Sequence, residues 1–468
     1  MVNSNFFINF DTRIESDRES LATSSGGAFV LWPVCIYHNI MEKLMQFVWQ
    51  HGFGVRPGMT TVDGRRLVVI NQGRLNPDAG PDFFNATVCI DGQTWAGNIE
   101  IHVKASDWYR HHHDSDPAYD SVILHVVQEN DAVVRRHDGS VIPQTVLRCT
   151  PQAAQRCNSL LRDAVRGLPC RDTLAAIPAI YRTDWITALA MERLYRKSER
   201  ILSLVKETAG YWEGAAFITL ARGLGFGLNS EPFEILAKRM PLQFLNKHAD
   251  ELLTVEALLF GQAGLIPGQE PGEDPYTTRL RQEYLFMAHK FQVRPPSLAW
   301  KMARTRPHNF PHRRIALLAE MIHRGFYLVG KICDCNSVEQ LRKLFTVELQ
   351  GFWATHFTFR DSAPGSRAAA LSRDSVDTLL INVAVPLLHA RQMTLQDFSG
   401  MEKSVEILQH LAPENNSIVR LFGAAGLECR DAFTSQACIE LRREYCEKSK
   451  CIYCRFGHRM LSAEISRP

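Results

Sequence analysis

The sequence predicts an α+β protein, with a small mixed β-sheet domain on the amino-terminal side followed by a larger all-helical domain. Residues 65–149 carry short apolar or alternating runs typical of β-strands, whereas apolar residues recur at helical spacing from about residue 178 onward. A chain of 468 residues also exceeds the size at which a single core usually stops growing. More than one domain is therefore expected.

Composition and charge exclude some classes of protein. The formal net charge is +3 and 22% of the residues are charged, so nucleic-acid binding would need a local basic groove. No apolar run of about 18 residues is present, which argues against a transmembrane helix. Many of the 12 cysteines are scattered singly, and this usage favours a reducing, cytoplasmic location.

Four segments follow from the pattern along the chain. We interpret residues 1–40 as a disordered leader or upstream extension, because a helical period begins only at Met41 in MEKLMQFVWQHG. Residues 41–150 form the mixed-sheet domain that would carry catalysis, and residues 175–425 form the helical domain. Residues 426–468 form a helical tail with a cysteine loop.

The strand region contains a clear hairpin signal. IDGQTW places an Asp-Gly turn between two apolar runs, which is the strongest short-range indication of a β-hairpin. In the second arm, NIEIHVK, the apolar residues share one face of the strand. The polar residues of that arm share the other face, and they are Glu100, His102 and Lys104.

Two carboxylates are expected to meet on this hairpin. Asp82 begins one arm and Glu100 lies on the other, so both can hold a Mg or Mn ion at one end of the sheet. His102 or Lys104 would then activate water or stabilise developing negative charge. Pro81-Asp82 with Glu100-Ile101-His102 resembles the PD-(D/E)XK nuclease core, although His102 stands where that core has Lys. The resemblance implies a restriction-endonuclease-like sheet and hydrolysis of phosphodiester bonds.

A cluster of histidines offers a second route to metal binding. Imidazole and carboxylate ligands suit Zn, Mn or Fe, and we take His113 and His125 as further candidate ligands. Simpler interpretations remain open. His111 and His112 are equally consistent with a solvated loop, His125 with a hydrogen-bonded core residue, and the polar face of NIEIHVK with an exposed sheet surface.

The carboxy-terminal cysteines have metal-ligand spacing. Cys446, Cys451 and Cys454 form C-x4-C-x2-C, which favours a structural Zn ion or iron–sulfur cluster. The fourth ligand would be His458, Cys438 or Cys429. The loop locally resembles the cluster loop of helix-hairpin-helix DNA glycosylases. Reduced free cysteines in a basic tail are the alternative.

Longer motifs resemble one family over most of the chain. GPDFFNA, GNIEIHVKASDW and the YCEKSKCIYC tail are similar to the bacterial domain of unknown function 2851 family, which implies no activity of its own. We therefore expect, from the residues, a divalent-metal-dependent hydrolase that acts as a nuclease. The alternative is a non-enzymatic scaffold that binds nucleic acid or protein. Convergence of Asp82, Glu100 and His102 favours the enzyme, and their separation on an open face favours the scaffold.

Overall fold

A computed structural model describes most of the chain: residues 38, 41–50, 52, 58–76, 79–149, 167–303, 305–361, 370–448 and 450–465. The chain divides into two compact units. One comprises Met1–Arg182 together with Arg442–Pro468, and the other is Thr183–Leu441. The last 27 residues thus belong to the sheet unit, whereas the sequence pattern set the tail apart from residue 426. Apart from His38, the predicted leader lies outside the described residues.

In the described part of the first unit, six strands form one mixed sheet in the order β1-β3-β4-β5-β6, with β2 paired to β3. The strands are β1 Leu67–Asn71, β2 Arg74–Leu75, β3 Phe83–Ile90, β4 Gln93–Lys104, β5 Val122–Glu129 and β6 Gln144–Val146. β3 and β4 form the predicted hairpin, whose turn residues Asp91 and Gly92 have φ of 47° and 85°. Two consecutive positive φ angles are the signature of a type I′ turn.

The two faces of the sheet are covered by different segments. On one face the apolar residues of β3, β4 and β5 pack against helix α1, residues 41–50, and against the carboxy-terminal segment. On the other face, the chain between β4 and β5 forms a second core around Trp108, Tyr119 and Val127. This connector contains the short helix α2, Asp107–Arg110, and a 3-10 turn, Pro117–Tyr119. Helices α3 Arg171–Leu174 and α19 Arg455–Ile465 complete the described part of the unit.

The second unit is helical over its described residues, as predicted. Its helices, numbered onward from α4, which begins in the first unit, are α4 Ala179–Glu207, α5 Trp212–Leu224, α6 Ser230–Arg239, α7 Leu242–Leu245, α8 Leu252–Gln262, α9 Pro275–Phe291, α10 Pro311–His323, α11 Leu328–Asp334, α12 Val338–Phe345, α13 Phe352–Thr355, α14 Arg373–Leu379, α15 Val385–Leu395, α16 Phe398–His410, α17 Ser417–Ala424 and α18 Ala432–Glu440. The prediction of an α+β protein with an amino-terminal mixed sheet and a following helical region is confirmed. None of the described helices is long and apolar enough to cross a membrane.

Helix α8 buries a carboxyl group in the helical unit. The side chain of Glu256 is 6% exposed and accepts a hydrogen bond of 2.9 Å from the Tyr276 hydroxyl, which in turn accepts one of 2.8 Å from Trp353. Burial raises the pKa of Glu256 from 4.5 to about 7, and the nearby Glu320 adds to the rise. The folded protein therefore binds a proton at Glu256 more tightly than the unfolded chain does.

This shift predicts a pH dependence of stability. The stabilisation from protonated Glu256 is complete below pH 4.5 and is lost as the pH rises through about 7, at a cost of roughly 3 kcal/mol. Glu256→Gln, which keeps an acceptor for Tyr276, removes this loss. Urea unfolding at pH 5 and pH 8 measures it, with the exposed Glu402→Gln as the control. An equal loss of stability in Glu256→Gln and in wild type would contradict the assignment.

Candidate functional site

The hairpin brings Asp82 and Glu100 together, as the sequence predicts. Phe83 pairs with Ile99 in the antiparallel ladder, so Asp82 stands opposite Glu100. The Asp82 backbone N–H donates to Glu100 Oε2 at 2.9 Å. Both Asp82 carboxylate oxygens also accept hydrogen bonds, Oδ1 from Gln46 at 2.9 Å and Oδ2 from the Ile101 N–H at 3.0 Å. Asp82 therefore fixes one oxygen of Glu100 and leaves the other, Oε1, to face the histidines.

A helix C-terminus directs two of those histidines toward the sheet. The N–H of His113 bonds to Trp108 O at 3.0 Å and that of His112 to Tyr109 O at 3.1 Å, which together form a Schellman motif at the end of α2. His112 occupies the left-handed position, with φ of 59°. This reversal leaves His112 exposed and turns His111 and His113 to the same side.

Three imidazoles converge within metal-binding distance. One ring nitrogen from each of His102, His111 and His113 lies within 4.8 Å of the other two. His102 Nε2 is 3.1 Å from His111 Nδ1, a separation close to the roughly 3.3 Å between nitrogen ligands of a tetrahedral Zn ion. Glu100 Oε1 lies beside them, 3.3 Å from His113 Nε2 and 3.5 Å from His102 Nε2. The donor set fits Zn, Mn or Fe better than Mg, which prefers oxygen ligands.

His125 supports this cluster from behind. His102 Nδ1 and His125 Nε2 are 2.9 Å apart, and both residues are buried. A metal at His102 Nε2 needs a bare nitrogen there, so the ring proton would lie on Nδ1 and be donated to His125. This is the outer hydrogen bond that orients a metal-binding imidazole. His125 therefore lies behind His102, where it would be the partner of a ligand, whereas the sequence suggested it as a ligand itself.

Loss of contact with water favours the neutral form of His102, His111 and His125. It lowers the pKa of His102 well below its ordinary value, with the neighbouring His125 and His111 adding to the effect. Burial also lowers the pKa of His125 to about 3 and that of His111 to about 4. Neutral rings present the lone pairs that a metal requires.

Other polar residues of the region lie apart from this cluster or support it structurally. Lys104 is exposed and its ammonium group pairs with Glu129 at 3.4 Å. Asp116 caps the 3-10 turn through the Ala118 N–H at 2.9 Å, and that turn carries Tyr119, whose ring stacks on His113 at 3.7 Å. Glu100 and His102 are only 5% and 1% exposed, so the interpretation of an open wet face is wrong for both. The sequence left His111 undecided, because the left-handed turn that orients it has no glycine to signal it.

Comparison with known proteins supplies a family. The family model described as "Protein of unknown function (DUF2851)" matches residues 42–417. The chain belongs to this family. No curated protein and no solved structure gave a match. The chemistry of this DUF2851 protein must therefore be inferred from the cluster itself.

His111 gives the most direct test of metal binding in the DUF2851 protein, because it is the exposed member of the three. We expect His111→Ala to weaken Zn or Mn binding by more than about 100-fold, since losing an outer partner alone costs roughly 10–100-fold. Titration calorimetry on metal-free protein measures this. The exposed His137→Ala is the matched control, and equal affinity of the two variants would contradict the site.

His125 tests the outer hydrogen bond. His125→Phe keeps the ring volume but removes the acceptor for His102, so we expect metal affinity to fall by roughly 10–100-fold. The three ligand side chains themselves are untouched. Affinity unchanged from wild type in a folded His125→Phe protein would show that the hydrogen bond between His102 and His125 does not support metal binding.

Proposed function

We propose that this protein is a metal-dependent hydrolase of phosphodiester bonds, with nucleic acid as the favoured substrate. One observation carries the proposal: three imidazoles converge beside a carboxylate whose second oxygen is fixed by the backbone. Three histidines with a fourth position left for water are a common ligand set of catalytic Zn.

The chain's own residues have separable roles. His102, His111 and His113 would hold the metal, which supplies a water of lowered pKa when bound. Glu100 Oε1, held next to these rings, would take the proton of that water. Asp82 is a positioning residue, because its backbone N–H fixes Glu100 Oε2 at 2.9 Å.

Charge at the exposed side of the cluster supports an anionic substrate. Arg110 precedes His111, and its side chain is 58% exposed although it pairs with Asp107 at 3.0 Å. A guanidinium at this position can contact a phosphate oxygen. The described cysteines form no disulfide, which supports the expected cytoplasmic location.

Glu100→Gln tests the reaction. It keeps the shape of the side chain but removes the base, so we expect the rate on bis(4-nitrophenyl) phosphate and on DNA or RNA to fall by roughly 10²–10⁴-fold. The assay uses metal-free protein reloaded with Zn, Mn or Mg in turn.

Glu129→Gln, at the exposed end of β5, is the matched control and keeps the wild-type rate. Two results would overturn the proposal. One is equal activity of Glu100→Gln and wild type. The other is a wild-type protein that binds metal tightly but hydrolyses none of these substrates with any of the three metals, as a structural site in a scaffold would.

A further inference from the structure

The carboxy-terminal cysteines lie in a compact loop within the sheet unit. Cys446 ends the π-helical turn Leu441–Cys446, Cys451 begins the 3-10 turn Cys451–Tyr453, and Cys454 directly precedes α19. All three are buried and none forms a disulfide. Helix α19 packs tightly on this loop, because a Cβ added at Gly457 would lie 2.0 Å from Cys451 O.

A fourth cysteine, distant in sequence, comes to the same loop. Two contacts bracket Cys170. On one side the Arg442 guanidinium donates to Gly167 O, and on the other Thr173 Oγ1 lies 3.2 Å from Met460 Sδ. Cys170 itself packs against the core cluster that contains Cys451. The segment 167–173 is therefore held against the tail immediately before and after Cys170.

We propose that Cys170 completes a four-thiolate centre with Cys446, Cys451 and Cys454 that holds a Zn ion or an iron–sulfur cluster. Four cysteines are a complete ligand set for either group. The proposal changes the fourth ligand from those suggested by the sequence.

The three earlier candidates have other neighbours. The His458 ring packs edge-on against Phe47, with ring centroids 5.1 Å apart. Cys429 and Cys438 belong to the helical unit, and their sulfurs lie 3.3 Å from each other.

Such a centre would join two segments of the sheet unit that are far apart in sequence. Closing so long a loop gives a crosslink a large effect on the unfolded chain. The loop also belongs to the core of the sheet, since Cys451 and Ile452 pack in the same cluster as Phe83, the residue after Asp82. The centre would thus fix a segment that packs against the hairpin that positions Glu100.

The test measures zinc, iron and sulfide in the full chain, purified both in air and under nitrogen. A His111→Ala background removes the contribution of the imidazole cluster. We expect either about one zinc or about four iron with four sulfide per chain, and the sulfide together with visible absorption distinguishes the two. Cys170→Ser loses this metal, whereas Cys438→Ser and the control Cys89→Ser, a half-buried cysteine of β3, retain it in full.

Cys170→His distinguishes the loss of a metal ligand from a failure of the variant to fold. If the centre is zinc, histidine can replace one thiolate and the variant keeps more metal than Cys170→Ser. If Cys170 only fills space, the two substitutions behave alike. The proposal is overturned if Cys170→Ser keeps as much metal as Cys89→Ser, if His458→Ala or Cys438→Ser loses the metal instead, or if neither preparation of the background protein contains metal.

Discussion

The first unit depends on one constraint: Glu100 carries a carboxylate into the covered face of a sheet. An ionised carboxylate is expensive to bury unless donors or a cation surround it. Here the Asp82 N–H donates a hydrogen bond to Glu100 Oε2. Nε2 of His113 and Nε2 of His102 lie 3.3 Å and 3.5 Å from Oε1. The hairpin register, the direction of the connector and the position of α1, whose Gln46 binds Asp82, all serve this arrangement.

The chain between β4 and β5 meets the same need to surround the buried Glu100 carboxylate. Its short helix must end within a few residues of β4 so that two imidazoles return to the carboxylate. The left-handed residue that makes this possible is His112, at φ of 59°, where glycine would be strongly preferred on conformational grounds. Tyr119 then closes the site by stacking on His113 at 3.7 Å. Local strain at His112 is offset by the burial of its neighbour His113.

The alternation of apolar and polar residues along a strand, together with the Asp-Gly turn, predicts part of this site. Strand alternation places Glu100 and His102 on one face, and Asp-Gly sets the hairpin register that brings Asp82 opposite Glu100. The positions of His111 and Cys170 could not be predicted in this way. The first depends on a residue other than glycine in a left-handed turn, and the second on packing between segments far apart in the chain. Neither feature leaves a periodic signal in the sequence.

One ring nitrogen of this network has no hydrogen-bond partner. His125 Nδ1 is buried without one among the described residues, while its Nε2 lies 2.9 Å from His102 Nδ1. Burial lowers the pKa values of His102, His111 and His125, so these three rings favour the neutral form and offer dipoles to Glu100. On the proposed function, a cation held by His102, His111 and His113 would add positive charge beside the buried carboxylate, and the ring proton of His102 would then lie on the side of His125.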